Sequence, residues 1–146
     1  MTDRTQAAVS SRPEPPESEA AAPFWDATRA RQLVVQWCTD CDRAVYYPRH
    51  VCPGCLGGSL EWRPSVGTGT VYAVTVEHRP QDPRLSDRAP YAVALVDVDD
   101  GWRTMTNVVG VDPAQLKVGC RVRVAWEKLS DGRHLPVFTP VEATNA

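Results

Sequence analysis

From Pro64 onward the chain alternates apolar and polar residues in runs too short for helices. The clearest run is Cys120-Arg-Val-Arg-Val-Ala-Trp126. Cys120, Val122, Val124 and Trp126 fall on one face, and Arg121, Arg123, Ala125 and Glu127 on the other. Period two predicts a half-buried strand. Thr70–His78, Tyr91–Val98, Trp102–Val109 and His134–Phe138 read as strands as well. Turn residues separate them at Gly67-Thr-Gly69, Asp99-Asp-Gly101, Lys117-Val-Gly119 and Asp131-Gly132, the last a strong hairpin signal. Asp112-Pro-Ala-Gln-Leu116 allows one helical turn, with Pro113 at its first position. Five strands with a short helical element between the third and fourth predict a five-stranded Greek-key barrel of the oligonucleotide/oligosaccharide-binding (OB) type. A small sandwich is the structural alternative.

The first 63 residues follow a different plan. Residues 1–22 are rich in Ala, Ser, Pro and Glu without periodic apolar positions, so a disordered tail or linker is expected there. Pro23–Gln32 is expected to be a short helix entered at Pro23, with Phe24 and Thr28 on one side. Leu33–Trp37, Ala44–Tyr47 and Leu60–Trp62 are expected to be brief strands around two cysteine pairs. Trp25, Trp37 and Trp62 are expected to pack around this unit, since large rings supply most of the buried area of a small module. The expected organisation is a tail or linker at 1–22, a helix plus zinc ribbon at 23–63, an OB-fold barrel at 64–142 and a tail at 143–146: a mostly β chain.

The cysteine pairs carry the sharpest chemistry. Cys38-Thr-Asp-Cys41 and Cys52-Pro-Gly-Cys55 are separated by ten residues, the length of a short hairpin. Two residues between the members of a pair let both thiolates reach one ion from a single turn, and two such turns complete a tetrahedral S4 site. Pro53-Gly54 supplies a tight second turn, and Asp42 follows the first pair as a residue that tolerates left-handed backbone. Structural zinc is the expected ligand; iron in a rubredoxin-like site satisfies the same geometry. A redox dithiol normally stands alone beside a βαβ pattern, which this chain does not show. Two disulfides need an oxidising compartment, and the polar N-terminal stretch has no apolar core that reads as a secretory signal, so a cytoplasmic setting is expected. A site with four thiolates has no open position, which implies stability rather than catalysis. Cys120 reads as a small buried thiol of the barrel.

Charge narrows the field further. The formal net charge is −2, and residues 1–22 carry all of it, so the remainder is neutral. A neutral body argues against a track for nucleic-acid phosphates. By residue type Tyr72, Tyr91, Trp102 and Trp126 are candidates to stack single-stranded bases, but packing in a core or against a partner is the plainer expectation. His50, His78 and His134 show no triad or metal pattern and are expected at the surface or in hairpins. Asp97, Asp99 and Asp100 are expected to be solvated turn residues. The Arg79–Arg88 loop holds three arginines and is a candidate contact for a ligand's phosphate or a partner's acidic edge, with a solvated loop as the alternative. The barrel face and Phe24 and Trp25 of the helix are equally plausible candidate docking sites. No residue is singled out as catalytic.

Taken in order, Pro23-Phe-Trp-Asp26, Cys38-Thr-Asp-Cys41, Tyr47-Pro-Arg-His-Val-Cys-Pro-Gly-Cys55, Gly67-Thr-Gly-Thr-Val-Tyr72, Pro90-Tyr-Ala-Val-Ala-Leu-Val96, Thr106-Asn-Val-Val-Gly110 and Leu135-Pro-Val-Phe138 resemble the domain-of-unknown-function 35 family. The resemblance covers about residues 23 to 140. The family usually has Gly after the second and fourth cysteines, where this chain has Asp42 and Leu56; neither is a ligand. The resemblance implies a rubredoxin-like zinc ribbon with Cys38, Cys41, Cys52 and Cys55 as ligands, followed by an OB-fold. It implies partnership with a thiolase-superfamily protein acting on acyl-CoA, including retro-aldolases of steroid side-chain degradation. In that branch a hotdog-fold enoyl-CoA hydratase domain occurs fused ahead of the ribbon, and the Pro/Glu-rich segment 10–22 resembles such a seam. The implied role is an accessory subunit that stabilises the catalytic partner and shapes its acyl-CoA channel. A single-stranded nucleic-acid-binding module is the alternative.

Overall fold

The structure, a computed structural model, describes residues 12–141. The expected C-terminal tail at 143–146 and the first eleven residues of the expected tail or linker lie outside the described residues. Pro23 sits in the first turn of helix α1 (Ala22–Arg29), where its missing N–H costs nothing. The helix stops three residues before Gln32, because Arg31 takes a left-handed φ of 55° and turns the chain into the ribbon. Strands β1 (Val34–Cys38), β2 (Arg43–Val45) and β3 (Leu60–Pro64) make an antiparallel sheet in the order β2-β1-β3.

Strands β4 (Thr68–Glu77), β5 (Tyr91–Val98), β6 (Trp102–Val108), β7 (Arg121–Lys128) and β8 (His134–Pro140) close a barrel in the order β4-β5-β6-β8-β7. This is the expected five-stranded OB-type barrel. Its last seam, between β6 and β8, is parallel and rests on one register pair, Val108 with Phe138. A 3-10 turn at Pro113–Gln115 lies between β6 and β7, as expected, and the Asp112 carboxylate accepts from the Ala114 N–H. A second such turn, Pro83–Arg88, stands in the loop between β4 and β5, capped by Asp82 accepting from the Arg84 N–H at 2.9 Å. Gly69 is required by close approach: a Cβ there would lie 2.5 Å from the Asp97 carbonyl oxygen on β5. A register shift between Val71 and Ala73 re-aims β4, leaving Val71 buried and Tyr72 exposed.

One apolar cluster joins the parts. Val71, Ala92, Ala94, Val96, Val108, Val122 and Phe138 fill the barrel, while Phe24 and Trp25 of α1 and Leu33 and Val35 at the ribbon base belong to the same cluster. Trp25 therefore packs with the barrel, beside Phe24 and beneath the guanidinium of buried Arg133 at 4.9 Å. His134, expected at the surface or in a hairpin, is buried and bonds the helix. Its Nδ1 donates to the Thr28 carbonyl at 2.9 Å, and its backbone N–H donates to Thr28 Oγ1 at 3.2 Å.

Residues 12–21, within the stretch expected to be disordered, run along the barrel and are held by charge. Arg12 bonds Glu127 at 3.0 Å and the Asn107 side chain at 2.8 Å. The Glu14 carboxylate accepts from both the backbone N–H and the hydroxyl of Ser130, each at 2.7 Å. Charge-assisted bonds of this kind order a segment that has little apolar surface to bury.

Candidate metal centre

Two turns of the ribbon present the four cysteines. Cys38 ends β1, and its sulfur accepts the Cys41 N–H at 3.3 Å; in the second turn the Cys52 sulfur accepts the Gly54 N–H, also at 3.3 Å. Each turn leaves through a left-handed residue directly after its second cysteine, Asp42 at φ 53° and Leu56 at φ 61°. These are two positions where Gly would adopt the required backbone most freely. Asp42 secures its turn by accepting from Trp37 Nε1 at 3.2 Å. The Leu56 N–H donates to the Cys52 carbonyl at 2.8 Å, yet its side chain is 74% exposed. The bare Cα of Gly54 lets the Arg43 guanidinium lie over the second turn, since a Cβ there would meet Arg43 Nη2 at 2.0 Å.

The four sulfurs all lie within 4.8 Å of one another. Cys38 to Cys55 measures 3.7 Å and Cys41 to Cys52 measures 3.9 Å. A tetrahedron with metal–sulfur bonds of about 2.3 Å has edges of about 3.8 Å, so the donor set fits a zinc-sized ion. The same distances are far beyond a disulfide's ~2.05 Å. Cys38 and Cys52 are fully buried, Cys41 is half-buried and Cys55 is exposed. Protons compete for the crowded sulfurs. The Cys41 thiol is pushed up to about 12, first by its contact with the Cys55 sulfur and then by desolvation. Cys52 is lowered to about 6, chiefly by the Cys55 backbone N–H, with the Gly54 N–H adding to it. A divalent cation resolves that competition by holding all four as thiolates. The filled tetrahedron then leaves no position for water or substrate.

Around the sulfurs there is almost no apolar packing. Cys38, Val45 and Cys52 form a cluster of their own, with Cys41 and Leu60 as the partly buried hydrophobic residues packed against it among the described residues. The expectation that three tryptophans surround the ribbon is corrected for Trp25, which belongs to the cluster shared with the barrel. Trp62 on β3 packs against that shared cluster, which includes Leu33 and Val35, and Trp37 on β1 lies under Arg63 at 4.7 Å.

The other residues singled out by sequence do not converge on a second site. His50 and His78 are exposed. Asp97 pairs with Arg103 at 2.5 Å, and Asp99 with Arg121 at 2.6 Å. Hydrogen bonds from Arg121 and Thr68 hold the Asp99 carboxyl down to about 2. Asp100 is more than a solvated turn residue, for it accepts from Trp102 Nε1 at 2.9 Å and from Ser65 Oγ at 3.1 Å. Trp102 is buried and cannot stack a base, while Tyr72 is exposed and carries Arg103 over its ring at 3.6 Å. In the arginine loop, Arg84 pairs with Asp82 at 2.7 Å and Arg88 pairs with Glu127. Cys120 is half-buried, with its thiol against the Arg121 carbonyl at 3.6 Å. No helix among the described residues is long and apolar enough to cross a membrane.

Comparison with known proteins agrees with this geometry. Residues 25–61 match the family model "ChsH2, rubredoxin-like zinc ribbon domain", and residues 62–127 match "ChsH2, C-terminal OB-fold domain". A probable enoyl-CoA hydratase alpha subunit of Thermomonospora curvata is 37% identical over 88% of this chain and 40% of its own length. The 3-oxo-4,17-pregnadiene-20-carboxyl-CoA hydratase alpha subunit of Mycobacterium tuberculosis is 29% identical over 80% of this chain and 37% of its own length. This chain thus spans about two fifths of either relative. A DUF35 domain-containing scaffold protein of Methanothermobacter thermautotrophicus is 30% identical over 64% of this chain and 71% of its own. Among solved structures, a chain of the Ltp2-ChsH2(DUF35) aldolase superposes with a TM-score of 0.78 at 34% identity, covering 87% of this chain and 98% of that one.

Proposed function

This chain belongs to the DUF35 family, in the branch of ChsH2 zinc ribbon plus OB-fold proteins, and from that premise we propose that it is the non-catalytic, zinc-stapled subunit of a thiolase-superfamily aldolase. Cys38, Cys41, Cys52 and Cys55 hold the zinc, which staples the two turns and supplies no reactive position. The partner carries the carbon–carbon bond chemistry on a steroid side-chain acyl-CoA, and this chain stabilises it and shapes the acyl-CoA channel. The observation that carries the reading is the match to nearly the whole length of the corresponding chain of the Ltp2-ChsH2(DUF35) aldolase. The steroid assignment leans on the pregnadiene-carboxyl-CoA hydratase among the relatives. The unmatched length of those relatives motivates a second proposal, that a hotdog-fold enoyl-CoA hydratase domain accompanies this subunit, fused or separate, in the cytoplasm.

The nucleic-acid alternative has less support, since Arg84, Arg103, Arg121 and Arg133 are each already paired with a carboxylate of this chain. The test is co-expression with the thiolase-superfamily protein encoded nearest to this chain, followed by assay with a steroid side-chain acyl-CoA. Cleavage is expected only when both chains are present. Full activity of the partner alone, or failure to form a complex, would sink the proposal.

A further inference from the structure

Strand β5 is apolar on its inner face and over most of its outer one. Ala92, Ala94, Val96 and Val98 point into the barrel and are buried, while Tyr91, Val93, Leu95 and, at the end, Asp97 point outward. A strand with one wet face alternates apolar with polar residues; a strand buried on both faces does not. The outer wall of β7 shows the wet pattern, with Arg121 and Arg123 outward. Beside Leu95 in register stand Ala73 on β4 and Met105 on β6, both outward. Met105 is 61% exposed. It borders three shallow depressions, of 300, 320 and 270 Å3. The first shares Tyr91 and Leu135, the second Tyr47 and Pro48 of the ribbon, and the third Ala73 and Leu95. Tyr47 and Tyr72 are more than half exposed at opposite margins of this wall. A mainly apolar strip therefore runs from Tyr47 and Pro48 of the ribbon past Met105 to Val93, Leu95 and Ala73, with Arg103 and Asn107 outward on either side of Met105 along β6.

We propose that this face, centred on Met105 and Leu95, is where the chain seats its catalytic partner, a protein of different sequence with an apolar, shape-matched surface. The inference rests on the subunit reading above and assigns it a surface. Adjoining exposed apolar side chains rimmed by polar ones mark an interaction site, and Tyr and Met are among the residues enriched at interfaces. The depressions are open and shallow, unlike the enclosed clefts that bury a small ligand. A second copy of this chain is the weaker occupant, because the chain it matches over 98% of that chain's length was solved in an aldolase named for two proteins, Ltp2 and ChsH2. The Arg103–Asp97 pair and the Arg103 contact with Tyr72 lie at the margin, where an interface is polar. Met105, with its unbranched and polarisable side chain, suits the centre of such a contact.

The test is a binding titration of zinc-loaded chain against the thiolase-superfamily protein encoded nearest to it, with zinc content and melting temperature checked for every variant. Met105→Glu is expected to weaken binding on the order of 100-fold, since it buries an unpaired charge at the centre, and Tyr47→Glu about tenfold. Arg123→Glu, on the outer wall of β7, is expected to bind as the parent does. If the parent chain binds and both patch variants bind equally well, the face is wrong while the subunit reading stands. If the parent chain does not bind that protein at all, the subunit reading falls and this assignment with it. Self-association of the parent chain, abolished by Met105→Glu, would overturn the choice of occupant.

Discussion

The ribbon and the barrel are both small antiparallel β structures, but they are held by different physics. The larger cluster gathers fifteen buried side chains, from Phe24 to Phe138, most of them in the barrel, with Leu33 and Val35 of the ribbon base among them. The ribbon's own cluster is two cysteines and Val45. Burial at roughly 25 cal/mol per Å2 accounts for the first, while the second lacks the apolar area to fold on that basis. The contrast teaches where each half is vulnerable: the barrel to loss of volume, the ribbon to loss of four particular sulfurs.

The largest expected effect breaks the contrast at its sharpest point. Cys52→Ser should drop the zinc content from one ion per chain to near zero. Structural zinc is worth on the order of 10 kcal/mol to such units. Hydrogen exchange should then show protection lost between Gln36 and Leu60 and retained in β5 and β6. Loss of protection throughout would show that the two regions fold as one. Next in size is Phe138→Ala, expected to cost about 3–5 kcal/mol in urea denaturation. That damage should reach the ribbon base, because Val35 and Leu33 lean on the same cluster.

Smaller changes sharpen the comparison. Leu56 is an exposed, left-handed leucine after the fourth cysteine, and Leu56→Gly should stabilise the ribbon by about 1 kcal/mol in a thermal melt, with zinc content unchanged. The smallest effect is electrostatic and belongs to the barrel. The Asp99 carboxyl is held at about 2 by Arg121 and Thr68, against about 4 in an unfolded chain. A depressed folded value stabilises above pH ~4 and loses that contribution as pH falls toward 2. The pair is partly exposed, so its worth is below about 1 kcal/mol. Asp99→Asn should flatten the melting temperature between pH 4 and 2; an unchanged slope would show that the pair contributes nothing.

What the sequence revealed, and what it hid, follows the range of the forces involved. The cysteine turns are legible because two residues of spacing and one left-handed position fix them locally, and Asp42 announced its own conformation. The barrel strands are legible because alternation in β7 and turn residues such as Asp131-Gly132 act within a few positions. The 3-10 turn at Pro83 was legible in principle, since Asp82-Pro83 is a cap followed by a first-turn proline. His134 was not, because its partner Thr28 lies 106 residues away. Trp25 failed for the same reason: its neighbours are set by the docking of α1 on the barrel. The ordering of residues 12–21 depends on Arg12 reaching Glu127 across 115 residues, which composition cannot report. The outer face of β5 was visible in Tyr91-Ala-Val-Ala-Leu-Val96, but its meaning required knowing that Met105 and Ala73 stand beside Leu95.

Tyr46 bridges the two regions. Its hydroxyl lies 3.0 Å from Thr104 Oγ1, and its ring rests 4.7 Å from that of Trp102. Thr104 precedes Met105, and Tyr46 precedes Tyr47, so one contact positions the ribbon margin and the centre of the proposed docking face. If the ion fixes the ribbon that carries Tyr46, ion and proposed partner are thermodynamically linked. If zinc raises affinity for the partner by some factor, the bound partner must tighten the hold on zinc by the same factor. An isolated chain should therefore surrender its metal to a chelator faster than the same chain within the complex.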